Sequence, residues 1–166
     1  MRKNPARLSA LLGGACLLAG CASGPQTQAL APAGFDRVTV GGELRQRIER
    51  NFDRLETDYY QPDQVYWTEE QSGGWPGDKE GRTILALVLD AQASGRTPLY
   101  LDELIRRLPR ELNAKGYLGS ILEGSADEQQ LSGHGWLLRG LCEYYAWKKD
   151  PQVLEIARGI VDSLFL

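Results

Sequence analysis

Trp75-Pro76-Gly77-Asp78-Lys79-Glu80-Gly81-Arg82 runs directly into Thr83-Ile84-Leu85-Ala86-Leu87-Val88-Leu89-Asp90-Ala91. The first stretch is polar and Gly-rich. Past Arg82 almost every position is apolar, which predicts a helix over residues 79–93 that is buried on most sides. Ser94-Gly95-Arg96-Thr97 then turns the chain, and Pro98 suits the first turn of a new helix. That helix is amphipathic. Leu101, Leu104, Ile105 and Leu108 fall on one face, and Glu103, Arg106 and Arg107 on the other. Pro109 and then Gly116 are expected to end it.

The same order recurs downstream. Leu131-Ser132-Gly133-His134-Gly135-Trp136 contains the chain's single histidine. It is read as lying just inside the start of a second mostly apolar helix, which carries Leu138, Leu141, Cys142 and Tyr145. Lys148-Lys149-Asp150 is a turn, and Pro151 opens a helix with Val153, Ile156, Ala157, Ile160 and Leu164 on one face. Pro98 and Pro151 are 53 residues apart, and Gly81 and His134 each lie 17 residues before their proline. This is an internal repeat of buried helix, short turn and amphipathic outer helix. Upstream, Leu44, Ile48, Phe52, Leu55 and Tyr59 recur at helical spacing until Pro62, and residues 61–78 read as a loop. Strand signals are nearly absent, so the fold class is all-α.

Helical hairpins of this period build a toroid, with inner helices forming a ring and outer helices wrapping it. All inner helices then run the same way. The polar segments 75–82 and 127–136 would share one end and form one functional face. Six hairpins of this size need about 300 residues. Residues 42–166 hold two clear hairpins and one earlier helix, so they read as the N-terminal part of such a domain, and the chain as incomplete.

The N-terminus reads as a targeting segment. Arg2, Lys3 and Arg7 precede a short apolar stretch that closes on Leu18-Ala19-Gly20-Cys21, which resembles the bacterial lipobox. Residues 1–20 are then a signal peptide, Cys21 the lipidated residue, and 21–41 a tether whose first part is small, polar and Pro/Gly-rich. Acyl chains would hold the protein to a membrane. With Ala22 and Ser23 after the cysteine, the cell envelope, and within it the outer membrane, is the expected location. Loss of three basic residues leaves 16 Lys+Arg against 22 Asp+Glu, a formal charge of −6. Such a balance disfavours nucleic acid as a partner, because phosphate binding needs basic patches. With Cys16 removed and Cys21 acylated, Cys142 stands alone and is expected to be a buried, inert thiol.

Three segments carry a resemblance to a known family. They are Asp78-Lys79-Glu80-Gly81-Arg82, Leu112-Asn113-Ala114-Lys115-Gly116-Tyr117-Leu118-Gly119, and Gly133-His134 before Leu141-Cys142-Glu143-Tyr144-Tyr145. Residues 42–166 resemble the N-terminal part of glycoside hydrolase family 127, the β-L-arabinofuranosidase-like proteins of the six-hairpin glycosidase superfamily. The chain departs from that pattern at Lys115 in the loop and at Lys148-Lys149-Asp150 in the turn. The resemblance implies an (α/α)6 barrel, a glycoside bound at the loop end, and His134 as a residue lining the sugar pocket. The family's glutamate and its zinc-binding cysteines belong to a later half. No metal, cofactor or catalytic residue is therefore carried over to this chain, and zinc is expected only of a full-length member.

The residues themselves give the candidate substrate contacts as His134, Asp78, Glu80, Trp75, Arg82 and Tyr117. Neutral imidazole both donates and accepts hydrogen bonds, as a hydroxyl-rich ligand requires, and glycines at 133 and 135 open space beside it. A satisfied core histidine is the competing reading. Asp78 and Glu80 could contact a ligand or act as an acid/base pair, but helix capping is the favoured reading of both, and Asp127 and Glu128 divide the same way. Arg82 would pair with a carboxylate or a sugar. Trp75 and Tyr117, in Gly-flanked loops, could stack on a sugar face, whereas Trp136 is expected in the core. Three functions are compatible with this set: a glycoside hydrolase-like lipoprotein, a non-catalytic helical lipoprotein that binds carbohydrate or a protein partner, and another toroidal enzyme such as a sugar epimerase.

Overall fold

The computed structural model describes residues 33–66, 74–121, 123–124 and 127–166. After a 3-10 turn at Phe35–Arg37 come α1 (Gly42–Leu55), a second 3-10 turn (Asp58–Tyr60), the short α2 (Pro62–Val65), α3 (Asp78–Ser94) and α4 (Leu101–Glu111). The long α5 (Glu128–Lys148) follows, then α6 (Pro151–Ile160), which continues into a π-helical turn at Val161–Phe165. No strand occurs among the described residues, and none of their helices is long and apolar enough to cross a membrane. The chain is all-α, as its periodicity predicts.

The centre of the fold is the packing of α3 on α5, and glycine makes it possible. A Cβ built on Gly81 would lie 2.2 Å from backbone atoms of Trp136 and Leu137, and one on Gly140 would lie 2.7 Å from the Gly81 carbonyl oxygen. No side chain fits there, so the two backbones meet directly. Gly77 meets Gly133, Gly81 meets Leu137, and Ile84 meets Gly140. The residue numbers rise together, so the two helices run parallel. α1 runs antiparallel to α3: Arg45 donates to the Ser94 carbonyl at 3.0 Å, while Asn51, further along, donates to Asp90. α4 and α6 add their apolar faces to this pair. Leu101, Leu104, Ile105 and Leu108 of α4 are all buried, and Val153, Ala157 and Ile160 of α6 join the same core. Each of the leucine, isoleucine and valine side chains contributes roughly 1.5–3 kcal/mol through burial.

Four boundaries differ from the sequence reading. α1 stops at Leu55 and does not reach Tyr59, which is exposed like Leu44. Thr57 has left the helical conformation and its hydroxyl donates to the Arg54 carbonyl, closing the helix end. α4 begins at Leu101, leaving Pro98 buried in the connection. It also runs through Pro109 to Glu111. The proline removes an N–H only in the last turn and lies on the exposed side. Arg107 spans that turn, donating twice to Glu111 at 3.0 and 2.8 Å. α5 begins at Glu128, because the Asp127 carboxylate accepts the Gln129 and Gln130 N–H groups as an N-cap. His134 is therefore the seventh residue of its helix, not an entrance residue. The next turn matches expectation: Lys149 is left-handed at φ 58°, Asp150 caps α6 and Pro151 occupies its first turn.

Cys142 is exposed, contrary to the buried thiol expected. Gly133 and Gly140 point at α3, and Cys142 lies two residues, or about 200° of helix rotation, past Gly140. It faces away from the seam, with half-buried Leu131, Leu138 and Tyr145 on the same side.

Candidate functional site

Because α3 and α5 are parallel, the segments that precede them meet at one end. Gly77, at φ 90°, makes the turn into α3. Its N–H donates to the Glu80 carboxylate at 3.0 Å, and the Asp78 N–H bonds to the Trp75 carbonyl at 3.1 Å. Glu80 thus closes a capping interaction, and its side chain is buried at 4% exposure. Burial pushes its carboxyl up to about 7; the N–H groups of Gly77 and Glu80 itself, and nearby Lys79, oppose this only in part.

The connection from α4 to α5 is tied to the same place. Asn113 organises it. Its side-chain oxygen accepts the Lys115 N–H at 2.9 Å, its amide donates to the Gly119 carbonyl at 2.9 Å, and its backbone N–H meets the Tyr117 carbonyl at 2.8 Å. α5 then grips this loop. His134 is fully buried; Nε2 accepts the Leu118 N–H at 2.9 Å, and Nδ1 lies 2.8 Å from the Gln130 carbonyl. A carbonyl only accepts and an amide N–H only donates, so the ring is neutral with its proton on Nδ1. Burial holds its pKa below the ordinary histidine value, against the opposing bond to Gln130. The Gln130 side chain donates to the Leu118 and Ser120 carbonyls, each at 3.0 Å. Tyr117 is buried with its ring edge-on to His134, centroids 5.9 Å apart. Pro76 wedges between loop and helix: a Cβ on Gly119 would lie 2.5 Å from its ring, and one on Gly133 2.2 Å from its carbonyl oxygen.

The candidate residues therefore divide into two sets. Trp75, Asp78 and Arg82 reach the surface. The Trp75 indole is 41% exposed. Arg82 donates to Asp78 at 2.9 Å, and its guanidinium lies 4.1 Å from the centroid of the Trp136 ring. Trp136 is thus half-buried beside Arg82 and not in the core as expected, with Arg139 also near it. Glu80, Tyr117 and His134 lie behind this surface and fix the loops that present it. Both polar atoms of His134 are taken, so a ligand contact there would require breaking its bond to Leu118 or Gln130. The space left by Gly133 is filled by the Pro76 carbonyl. Asp78 and Glu80 do not form an exposed carboxylate pair, since Glu80 turns inward to Gly77.

Gln130 and Asn113 are not among the candidate contacts that the sequence suggests. Gln130 stands one helical turn before His134, a spacing that places both on one face, and Asn113 opens a Lys-Gly turn of the kind asparagine stabilises. Among the described residues, no group of three His, Cys, Asp or Glu side chains is placed to hold a metal ion. The proposed acylation site Cys21 lies outside the described residues. No protein-family model, curated protein or solved structure matches the chain.

Proposed function

We propose that Trp75, Asp78, Arg82 and Trp136 form a carbohydrate-binding face of a helical-hairpin toroid of the glycoside-hydrolase type, carried on a lipoprotein of the bacterial envelope. The observation that carries this reading is the parallel glycine seam, which gathers both polar entrances at one end of the bundle. An exposed indole supplies an apolar plate for the C–H face of a sugar. Asp78 and Arg82, already paired through a hydrogen bond, supply acceptors and donors for hydroxyls beside it. The loops behind are held by side chains already hydrogen-bonded to them, so little ordering is left for the ligand to drive.

Binding without hydrolysis is the activity that this set of residues supports. Glycoside hydrolysis commonly uses two carboxylates facing one bond, and Glu80 faces inward. The full chain, titrated calorimetrically with arabinofuranosyl and pyranosyl oligosaccharides, is expected to bind a member of the panel and to turn over none of the corresponding aryl glycosides. Trp75→Ala should weaken binding by about tenfold, or roughly 1.4 kcal/mol, with the melting temperature nearly unchanged. Absence of saturable binding across the panel, or an unaltered affinity in Trp75→Ala, would contradict the reading.

A further inference from the structure

The end of the bundle opposite this face holds a cavity of about 570 Å³, within the usual size range of small-molecule sites. It is lined by Phe35 and Trp147, by Asp36 and Asp102, and by Arg96 and Lys148, among others. Phe35 is 47% exposed although it is a large apolar ring, and Trp147 is half-buried. The cavity therefore presents two aromatic surfaces inside a polar rim.

The charges around it favour a cation. Arg96 is neutralised by Glu49 at 3.1 Å and Asp53 at 2.7 Å, and Arg45 also pairs with Glu49, so this network carries no net charge. Asp36 and Asp102 make no ion pair among the described residues. The last turns of both α3 and α5 contribute lining residues, and each brings the partial negative charge of a helix C-terminus. The first turn of α4 brings a partial positive charge, which its own Asp102 offsets. One cation already uses the site: Lys148 Nζ stands 3.7 Å from the centroid of the Trp147 ring, the geometry of a cation–π contact.

We propose that this cavity binds a small organic cation, a quaternary or alkylated ammonium group with an apolar body. The ammonium takes the Trp147 face now covered by Lys148, with Asp36 and Asp102 as counter-charges and Phe35 against the apolar part. The site is independent of the carbohydrate face, since none of its residues is shared with it.

The test titrates the full chain in non-ionic detergent with benzyltrimethylammonium chloride, following the Trp147 indole N–H by NMR, assigned through Trp147→Leu. A saturable shift of that resonance is expected, with none from sodium sulfate or sodium phosphate at equal ionic strength. Asp102→Asn should weaken binding several-fold, and Lys148→Ala, which uncovers the ring on an exposed side chain, should strengthen it several-fold. A flat titration would overturn the proposal, as would a matching shift with the anions. Unchanged affinity in both Asp102→Asn and Lys148→Ala would overturn it too, without dependence on the tryptophan variant's folding.

Discussion

His134 shows how a single side chain can hold two segments that are distant in sequence. Its ring joins α5 to a loop 16 residues earlier, and both nitrogens are used in doing so. His134→Ala would leave the Leu118 N–H buried and open a void, at a cost of about 2–4 kcal/mol. Thermal or urea unfolding should show this loss, and a stability within 0.5 kcal/mol or so of the parent would contradict it. Protonation should act the same way. The folded pKa lies below the unfolded one, so this group's contribution is present at neutral pH and declines as pH falls past the ordinary histidine value. Glu80 has the opposite sign. Its folded pKa near 7 exceeds its ordinary value of 4.5, so the folded state holds the proton more tightly and stability falls as pH rises between these values. Glu80→Gln keeps an acceptor for the Gly77 N–H and removes the buried charge. It should raise stability at pH 8, by at most about 3 kcal/mol, and flatten the pH dependence between 4.5 and 7. A variant less stable than the parent at pH 8 would show that the charged form is the favoured one.

At the scale of elements, the seam between α3 and α5 makes a paired prediction. Gly81→Ala should be severely destabilising, by more than about 3 kcal/mol, because its Cβ would fall on the α5 backbone and the helices would have to separate. Gly135→Ala adds a Cβ that meets nothing within 4 Å and should stabilise α5 by up to about 1 kcal/mol. Equal effects in a denaturant titration would refute the seam. Much of this architecture is legible in the sequence. The inward face of α4 and the turn before Pro151 follow from periodicity and proline position alone, and the repeat predicts the parallel pair. The glycines are less legible. In the sequence Gly133 suggests room for a ligand beside His134, but the Pro76 carbonyl fills it. Pro109 suggests a stop because a proline interrupts a helix interior, whereas in the final turn few bonds remain to lose.

For the molecule as a whole, the candidate site is less legible than the fold. Spacing marks which residues stand near a helix start. It does not tell which of two neighbours turns out, as Asp78 does, and which turns in, as Glu80 does. That choice depends on Gly77, whose N–H the Glu80 carboxylate meets. It also does not reveal contacts such as that between Arg82 and Trp136, which lie on different helices. Membrane attachment is a separate proposal: Cys21→Ser should move the protein from the membrane to the soluble fraction, and unchanged retention would refute the lipid anchor. If α3 and α5 present one ligand face, Arg82 and Trp136 act on the same ligand, and a double-mutant cycle of carbohydrate affinity with Arg82→Ala and Trp136→Leu decides it. One shared face predicts non-additive losses, with a coupling of about 1 kcal/mol between the two positions. Losses that simply add, or a carbohydrate affinity untouched by either change, would contradict it.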